Sequence, residues 1–247
     1  MHFPPQLAGF ITRHRFALLF FTLLVYFLAV PIIHQIREAL DIQSPPVLEA
    51  IFFVVVLAGA VLSVSSNRAH LYIALGLGIP AALLGALHLF HDSAWEEILR
   101  HLFAAAFLGY AIVVLVLFIF ASRQVTLNVV SASLCVYLLL GLVWAVIYST
   151  IYSLDPGAFR WTVLGTGPPE TLHFGKGKSI TVLYFSFTTL TTLGYGDIVP
   201  ISPLARALTS IEAITGQLYL AVLVARLVGL NIAESIQKPT SEIGNPE

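Results

Sequence analysis

Charge is what this sequence most lacks. Only 10% of its 247 residues are Asp, Glu, Lys or Arg, and the formal net charge is −1. So sparse a charge excludes a basic surface for nucleic acid and offers no acidic face to a basic partner. Cysteine is almost missing too. The single Cys135 excludes any disulfide within the chain, and its apolar neighbours make it a small packing residue. There is no Ser/His/Asp cluster, phosphate-binding glycine loop or dense set of metal ligands, so the chain does not read as an enzyme. His88, His91 and His101, with Asp92, Glu96 and Glu97, flank or lie in HDSAWEEILR, but their spacing matches no zinc signature. A solvated interfacial helix is the simpler reading. What the chain has instead is apolar surface: 58% of residues are hydrophobic and mean hydropathy is +0.91. Those values lie outside the range of a water-soluble domain and describe an integral membrane protein.

A bilayer core about 30 Å thick takes roughly 20 apolar residues at 1.5 Å each. Six runs meet or approach that length: Phe16 to Ile33, Ala50 to Val64 with Val47 and Leu48 leading in, Leu71 to Phe90, Leu102 to Phe120, Leu127 to Ile151, and Leu204 to Leu230. The first follows Arg13 and Arg15 but lacks a small-x-small cleavage site, so it reads as a retained span and not a signal peptide. In the third, Gly76, Gly78 and Gly85 with Pro80 predict close helix approach and a kink. Two pieces remain. Tyr152 to Lys178 is a polar connection rich in Gly and Pro, and Ile180 to Leu193 is apolar but too short to cross. The expected fold is therefore an all-α membrane protein of six transmembrane helices with a re-entrant segment between the fifth and the sixth.

Re-entrant backbone must satisfy its own polar groups or face water, because each unpaired N–H or C=O in hydrocarbon costs several kcal/mol. Ser179 is placed to cap a short helix from Ile180 to about Thr191, after which Gly194 and Gly196 break the pattern. Glycine takes positive φ at little steric cost. Alternating with Leu193 and Tyr195, the two glycines can turn successive carbonyls to one side, where a row of them replaces the water around a bare cation.

TTLGYGD, residues 191–197, resembles the selectivity-filter signature of potassium channels, and YFSFTTLTTLGYGDIVP is similar to the pore helix, filter and outer mouth of that family. EAITGQLYLAVLVARLVG resembles the inner helix of prokaryotic one-pore channels, with Gly216 at the hinge position nineteen residues after Asp197. The resemblance covers about Leu127 to Leu230. It implies that potassium ions are coordinated by the Thr192 hydroxyl and the carbonyls of Thr192, Leu193, Gly194 and Tyr195, within the filter 192–196 that Gly196 closes. It puts Asp197 at the outer mouth, concentrating cations and bracing the filter against the pore helix. Tyr195 points into an aromatic collar where Tyr184 and Phe185 stand in place of the tryptophans of many relatives. Leu193 replaces the more usual valine without changing the coordinating carbonyl. Because one chain supplies one pore loop, the resemblance implies a homotetramer, with the lipid bilayer and K+ as its other partners, no further cofactor and no nucleic acid.

Within that scheme residues 1–123 form a four-helix domain of unassigned role, 124–234 the pore domain and 235–247 a short tail. A charged voltage sensor moves several arginines on its fourth helix, yet Leu102 to Phe120 holds no Lys or Arg. The link ASRQVTLN is short, so the first four spans are expected to pack beside their own pore. The seventeen residues after Leu230 leave gating to the filter or to the lower last helix. There Gln217, Leu220, Val224, Val228 and Ile232 share one face. Gln217 and Leu220 facing a cavity, with the three below forming a hydrophobic constriction, is one reading, and ordinary helix packing is the other. Glu212 either braces the filter through Thr188 or Thr189 or senses protons. Glu170 and His173 in the long connection raise the question of a response to external pH. The resemblance implies that both termini are cytoplasmic, with which the arginine distribution agrees, and Arg226, about 22 residues into the last span, is expected at the inner headgroups of a plasma membrane, bacterial inner membrane by the prokaryotic resemblance. The function expected is passive, potassium-selective conduction without strong voltage gating. A nonselective cation channel and an ion-transporter pore subunit are the alternatives.

Overall fold

The computed structural model describes residues 5–40, 47–64, 68–87, 94–161 and 178–237. Among these described residues the elements follow in order: α1 (Pro5–Ala39), α2 (Val47–Val64), α3 (Arg68–Leu87), α4 (Ala94–Ala121), α5 (Leu127–Leu154), β1 (Phe159–Trp161), α6 (Lys178–Leu190), β2 (Ile198–Pro200) and α7 (Pro203–Gln237). Among the described residues five helical stretches are long and apolar enough to cross a bilayer: His14–Ile33, Arg68–Leu87, Trp95–Ala121, Leu127–Leu154 and Pro203–Ala233. The second expected run coincides with α2, an 18-residue helix whose side chains are described only in part. Helix α6, at 13 residues, is too short to span, as its sequence predicted.

The helix limits follow local chemistry. Thr126 caps α5, accepting the Val129 N–H at 3.4 Å. Ser202 caps α7 through the Ala205 N–H at 3.2 Å, and Pro203 takes the first helical position, where a missing N–H is harmless. Helix α1 is broken at His14, whose φ/ψ of −115°/16° is not helical. Helices α4, α5 and α7 run longer than the apolar runs alone predicted. Helix α4 starts at Ala94, so Glu96, Glu97 and Arg100 lie in its first turns, and the expected interfacial helix is the beginning of the span. Helix α5 continues past Ile151 to Leu154, and α7 past Leu230 to Gln237, into the segment expected as tail. Residues 238–247, and Glu170 and His173 of the long connection, lie outside the described residues.

Helix α5 is the hub, in contact with α1, α4, α6 and α7. Half of it is buried, against 6% of the α7 window. Its core face, with Val129, Ala132, Cys135, Val136, Leu139 and Leu142, sits against residues such as Phe16 and Leu19 of α1 and Phe107, Leu115 and Ile119 of α4. The Cys135 thiol reaches the Phe16 carbonyl at 3.4 Å, and Phe27 of α1 meets Phe187 of α6 edge-on at 4.1 Å. The first four helices thus touch the last three within one chain. Of the three glycines expected to allow close approach, only Gly78 does so: a Cβ there would lie 3.3 Å from the Phe107 ring, whereas Gly76 has open space.

Three features lay outside the sequence reading. The beginning of the polar connection is not irregular: β1 pairs antiparallel with β2, matching Phe159 with Pro200 and Trp161 with Ile198, so the chain leaving the 191–197 loop is tied to the end of α5. His101 is buried and its Nε2 lies 3.1 Å from Arg100 Nη2; His88, His91 and Asp92 fall outside the described residues, and among those described no group of three metal ligands gathers. Arg226 has partners within the chain that the sequence did not reveal. Its guanidinium donates to the carbonyls of Ile119 (3.0 Å), Phe120 (2.6 Å) and Ser122 (2.9 Å) and lies 4.7 Å from the Phe120 ring centroid. The last carbonyls of a helix have no partner within it and carry its negative end, so a planar cation with several N–H groups is a fitting cap.

Replacing Arg226 with Met keeps the apolar stem and removes the cap. Losing hydrogen bonds to a charged group predicts a loss of about 1.5–3 kcal/mol, read as a lower thermal midpoint in detergent. An unchanged midpoint would show that the α4–α7 contact carries no weight.

Candidate functional site

The site is assembled where α6 ends. Thr191 N–H still bonds back to the Phe187 carbonyl at 3.0 Å, and then the chain turns: Thr192 N–H bonds to Thr189 O at 2.8 Å and Gly194 N–H to Thr188 O at 3.0 Å. The carbonyls left open by the helix end are thereby used to hold the loop. Gly194 and Gly196 have φ of +53° and +77°, as their lack of a Cβ allows. Thr192 has φ +58° and is the one non-glycine with positive φ among the described residues. Positive φ therefore recurs at 192, 194 and 196 while Leu193 and Tyr195 stay on the ordinary side. In an extended strand successive carbonyls point to opposite sides. Inverting the backbone hand at every second residue cancels that alternation and turns successive carbonyls toward one side. Residues 191–196 are all exposed in the single chain.

The loop is braced at its outer end. Tyr184 Oη donates to Asp197 Oδ2 at 2.7 Å, and Asp197 Oδ1 accepts the Ile198 N–H at 3.0 Å. Tyr184 also stacks on Tyr195, with centroids 6.4 Å apart and planes 9° from parallel. The aspartate thus ties to α6 through the Tyr184 phenol. Phe185 turns the other way, into an aromatic triangle with Tyr148 (5.0 Å) and Phe159 (5.3 Å) from α5 and β1. Such pairs contribute about 0.5–1.5 kcal/mol each beyond area burial. Thr188 and Thr189 support the loop with backbone carbonyls, their side chains being buried.

Glu212 is fully buried, but its expected contact with Thr188 or Thr189 is not the one made. Its Oε1 lies 2.6 Å from Ser186 Oγ and its Oε2 2.5 Å from Tyr148 Oη, because residue 212 faces the middle of α6 one turn below its end. Ser186 also donates to the Gly141 carbonyl at 2.8 Å. Tyr148 and Ser186 were not singled out in the sequence; a hydroxyl on each of two apolar helices gave no sign that they would meet the only carboxylate of the last span's outer half.

Gly216, expected as a hinge, lies where α7 crosses the end of α6: a Cβ there would collide with the Leu190 carbonyl oxygen, which backbone cannot yield. Close approach is thus an observed reason for glycine at this position. One residue on, Gln217 Nε2 donates to Thr192 Oγ1 at 3.3 Å, and the Thr192 hydroxyl donates to the Thr191 carbonyl at 2.7 Å. Leu220, Val224, Val228 and Ile232 continue from Gln217 as one exposed stripe along α7.

A protein-family model described as "Ion channel" matches residues 134–232, which include α6, the loop and most of α5 and α7. An inward rectifier potassium channel, Kirbac3.1, of Paramagnetospirillum magnetotacticum is 35% identical over 81 residues, 32% of this chain and 27% of that protein. Two-pore potassium channel 4 of Arabidopsis thaliana is 32% identical over 106 residues, 43% of this chain and 34% of that protein. The matches thus span about a third or less of these curated relatives. No solved structure matches. The likeness is to ion channels and falls on the segment that holds α6, the loop and most of α5 and α7.

Gly216→Ala should disrupt the α6–α7 crossing by at least the 1–3 kcal/mol typical of overpacking. Gly109→Ala, with nothing within 4 Å of the added Cβ, should be neutral or stabilise by up to about 1 kcal/mol through helix propensity. Parallel melting curves of the two variants check the contrast.

Proposed function

We propose that the chain is a potassium-selective channel in which four copies ring an axis and residues 192–196 of each supply the ion-coordinating oxygens. The observation that carries this reading is the positive φ at Thr192, Gly194 and Gly196, alternating with Leu193 and Tyr195. The carbonyls of Thr192, Leu193, Gly194 and Tyr195, with the Thr192 hydroxyl, replace the hydration shell of K+. Asp197 stands at the outer mouth, where its charge raises the local cation concentration.

Exposure supports the tetramer. An apolar helix can face lipid, but Thr191, Thr192 and Gln217 are polar and exposed in the single chain, and lipid satisfies none of them. Second copies around a water-filled axis do. One pore loop per chain makes a cyclic homotetramer the closed arrangement. Below the loop, Gln217 and Leu220 line the cavity, and Val224, Val228 and Ile232 form a constriction that closes by dewetting. Gly216 serves as hinge as well as crossing point. The C-terminal end of α6, carrying about half a negative charge, steadies a cation in the cavity. Helices α1 to α4, with α2 the second of six spans, support the pore in a plasma membrane with both termini cytoplasmic. Helix α4 carries one arginine, Arg100, near its start, so conduction is not steeply voltage-dependent.

Purified protein in liposomes under opposed potassium and sodium gradients tests this. The reversal potential should sit near the potassium equilibrium value, with block by barium; a value near zero would mean a nonselective cation pore. Tyr184→Phe should weaken the hold on Asp197 by about 1.5–3 kcal/mol and shorten open times while leaving selectivity unchanged. Val228→Ser should raise single-channel open probability or conductance; no change would return the α7 stripe to ordinary packing.

A further inference from the structure

Behind the loop, three helices meet at a cluster of oxygens that conduction does not use. Glu212 of α7, Ser186 of α6 and Tyr148 of α5 are fully buried. Three short oxygen–oxygen contacts join them and the α5 backbone: Tyr148 Oη to Glu212 Oε2 at 2.5 Å, Ser186 Oγ to Glu212 Oε1 at 2.6 Å, and Ser186 Oγ to the Gly141 carbonyl at 2.8 Å. Each contact needs a proton between its oxygens, since two bare oxygens at such distances repel. Tyr148 has one hydroxyl proton and Ser186 has one. A carbonyl oxygen has none. The third proton can come only from Glu212.

We propose that Glu212 is un-ionised in the folded channel and works as a hydrogen-bond donor, passing order from α7 through Ser186 to the Gly141 carbonyl of α5. Its Oε1–H donates to Ser186, whose own proton is then free for Gly141, while Oε2 accepts from Tyr148. This arrangement gives each of the three contacts its proton. With an ionised Glu212, Ser186 must turn its proton to the carboxylate and the 2.8 Å contact to Gly141 becomes a repulsion. No Lys, Arg or His contacts Glu212 among the described residues, so nothing there offsets a buried negative charge. Closeness matters at Gly141 as well: a Cβ on it would run into the Phe187 ring, so the α5 backbone lies against α6 at this level. Glu212 is a positioning residue, fixing α6 and with it the loop that follows, without touching an ion.

Infrared difference spectra of reconstituted wild type and Glu212→Gln at neutral pH test the protonation state directly. The carbonyl stretch of an un-ionised carboxyl group should be present in the wild type and lost in E212Q. Glutamine offers an N–H to Ser186 and an oxygen to Tyr148, so E212Q should keep wild-type assembly and thermal midpoint. Asp, which shortens the arm and favours the charge, should lower both. Absence of the carboxyl band in the wild type would overturn the proposal, as would Asp preserving assembly that Gln loses. Neither readout involves ion selectivity, so a failure here leaves the channel reading standing, and a nonselective pore leaves this inference standing.

Discussion

Hydrocarbon offers no hydrogen-bond partner to a peptide group, and the last third of this chain is organised by that fact. A helix of 13 residues is too short to cross a bilayer, and α6 ends with carbonyls open and a non-helical segment still to accommodate. The chain spends the carbonyls of Phe187, Thr188 and Thr189 on the N–H groups of Thr191, Gly194 and Thr192. Of the loop's own carbonyls, that of Thr191 accepts the Thr192 hydroxyl, and those of residues 192–195 make no hydrogen bond among the described residues. Water and a cation are the partners that suit them, which is why the proposed function encloses them between four copies of the chain.

Around that loop the supports differ in kind at each level. At the outer end a phenol holds a carboxylate, with Tyr184 on Asp197, and β2 pairs with β1 so that the exit strand is fixed to the end of α5. At mid-depth an aromatic triangle and the Glu212 cluster hold α6 against α5 and α7. At the lower end Gly216 lets α7 press on the Leu190 carbonyl. Lower still, Arg226 fastens α7 to the last carbonyls of α4, which gives the first four helices a grip on the part of the last helix where a gate would lie.

How much of this the sequence disclosed depends on how local the cause is. The apolar runs located the long helices, five of them long and apolar enough to cross a bilayer among the described residues, because length against bilayer thickness is a one-dimensional constraint. TTLGYGD disclosed the loop because its two glycines announce positive φ. Thr192 gave no such sign, since a β-branched residue is disfavoured there and only the turn that ends α6 imposes it. The pairing of residues 159–161 with 198–200 was hidden because three-residue strands carry no period. Arg226 and Glu212 were visible as polar residues in an apolar helix, yet their partners lie 107 and 64 residues away. Separation of that kind is decided by packing and not by pattern. Ser202 and Pro203 were a readable helix start that composition alone passed over.

The central claim is that four loops share potassium ions, so the ions should hold the assembly together. Thermal dissociation of the purified oligomer, followed by size in matched potassium and sodium solutions, tests this most directly. The account predicts a tetramer that survives to a clearly higher temperature in potassium. A monomer, or an oligomer that dissociates at the same temperature in both salts, would contradict it.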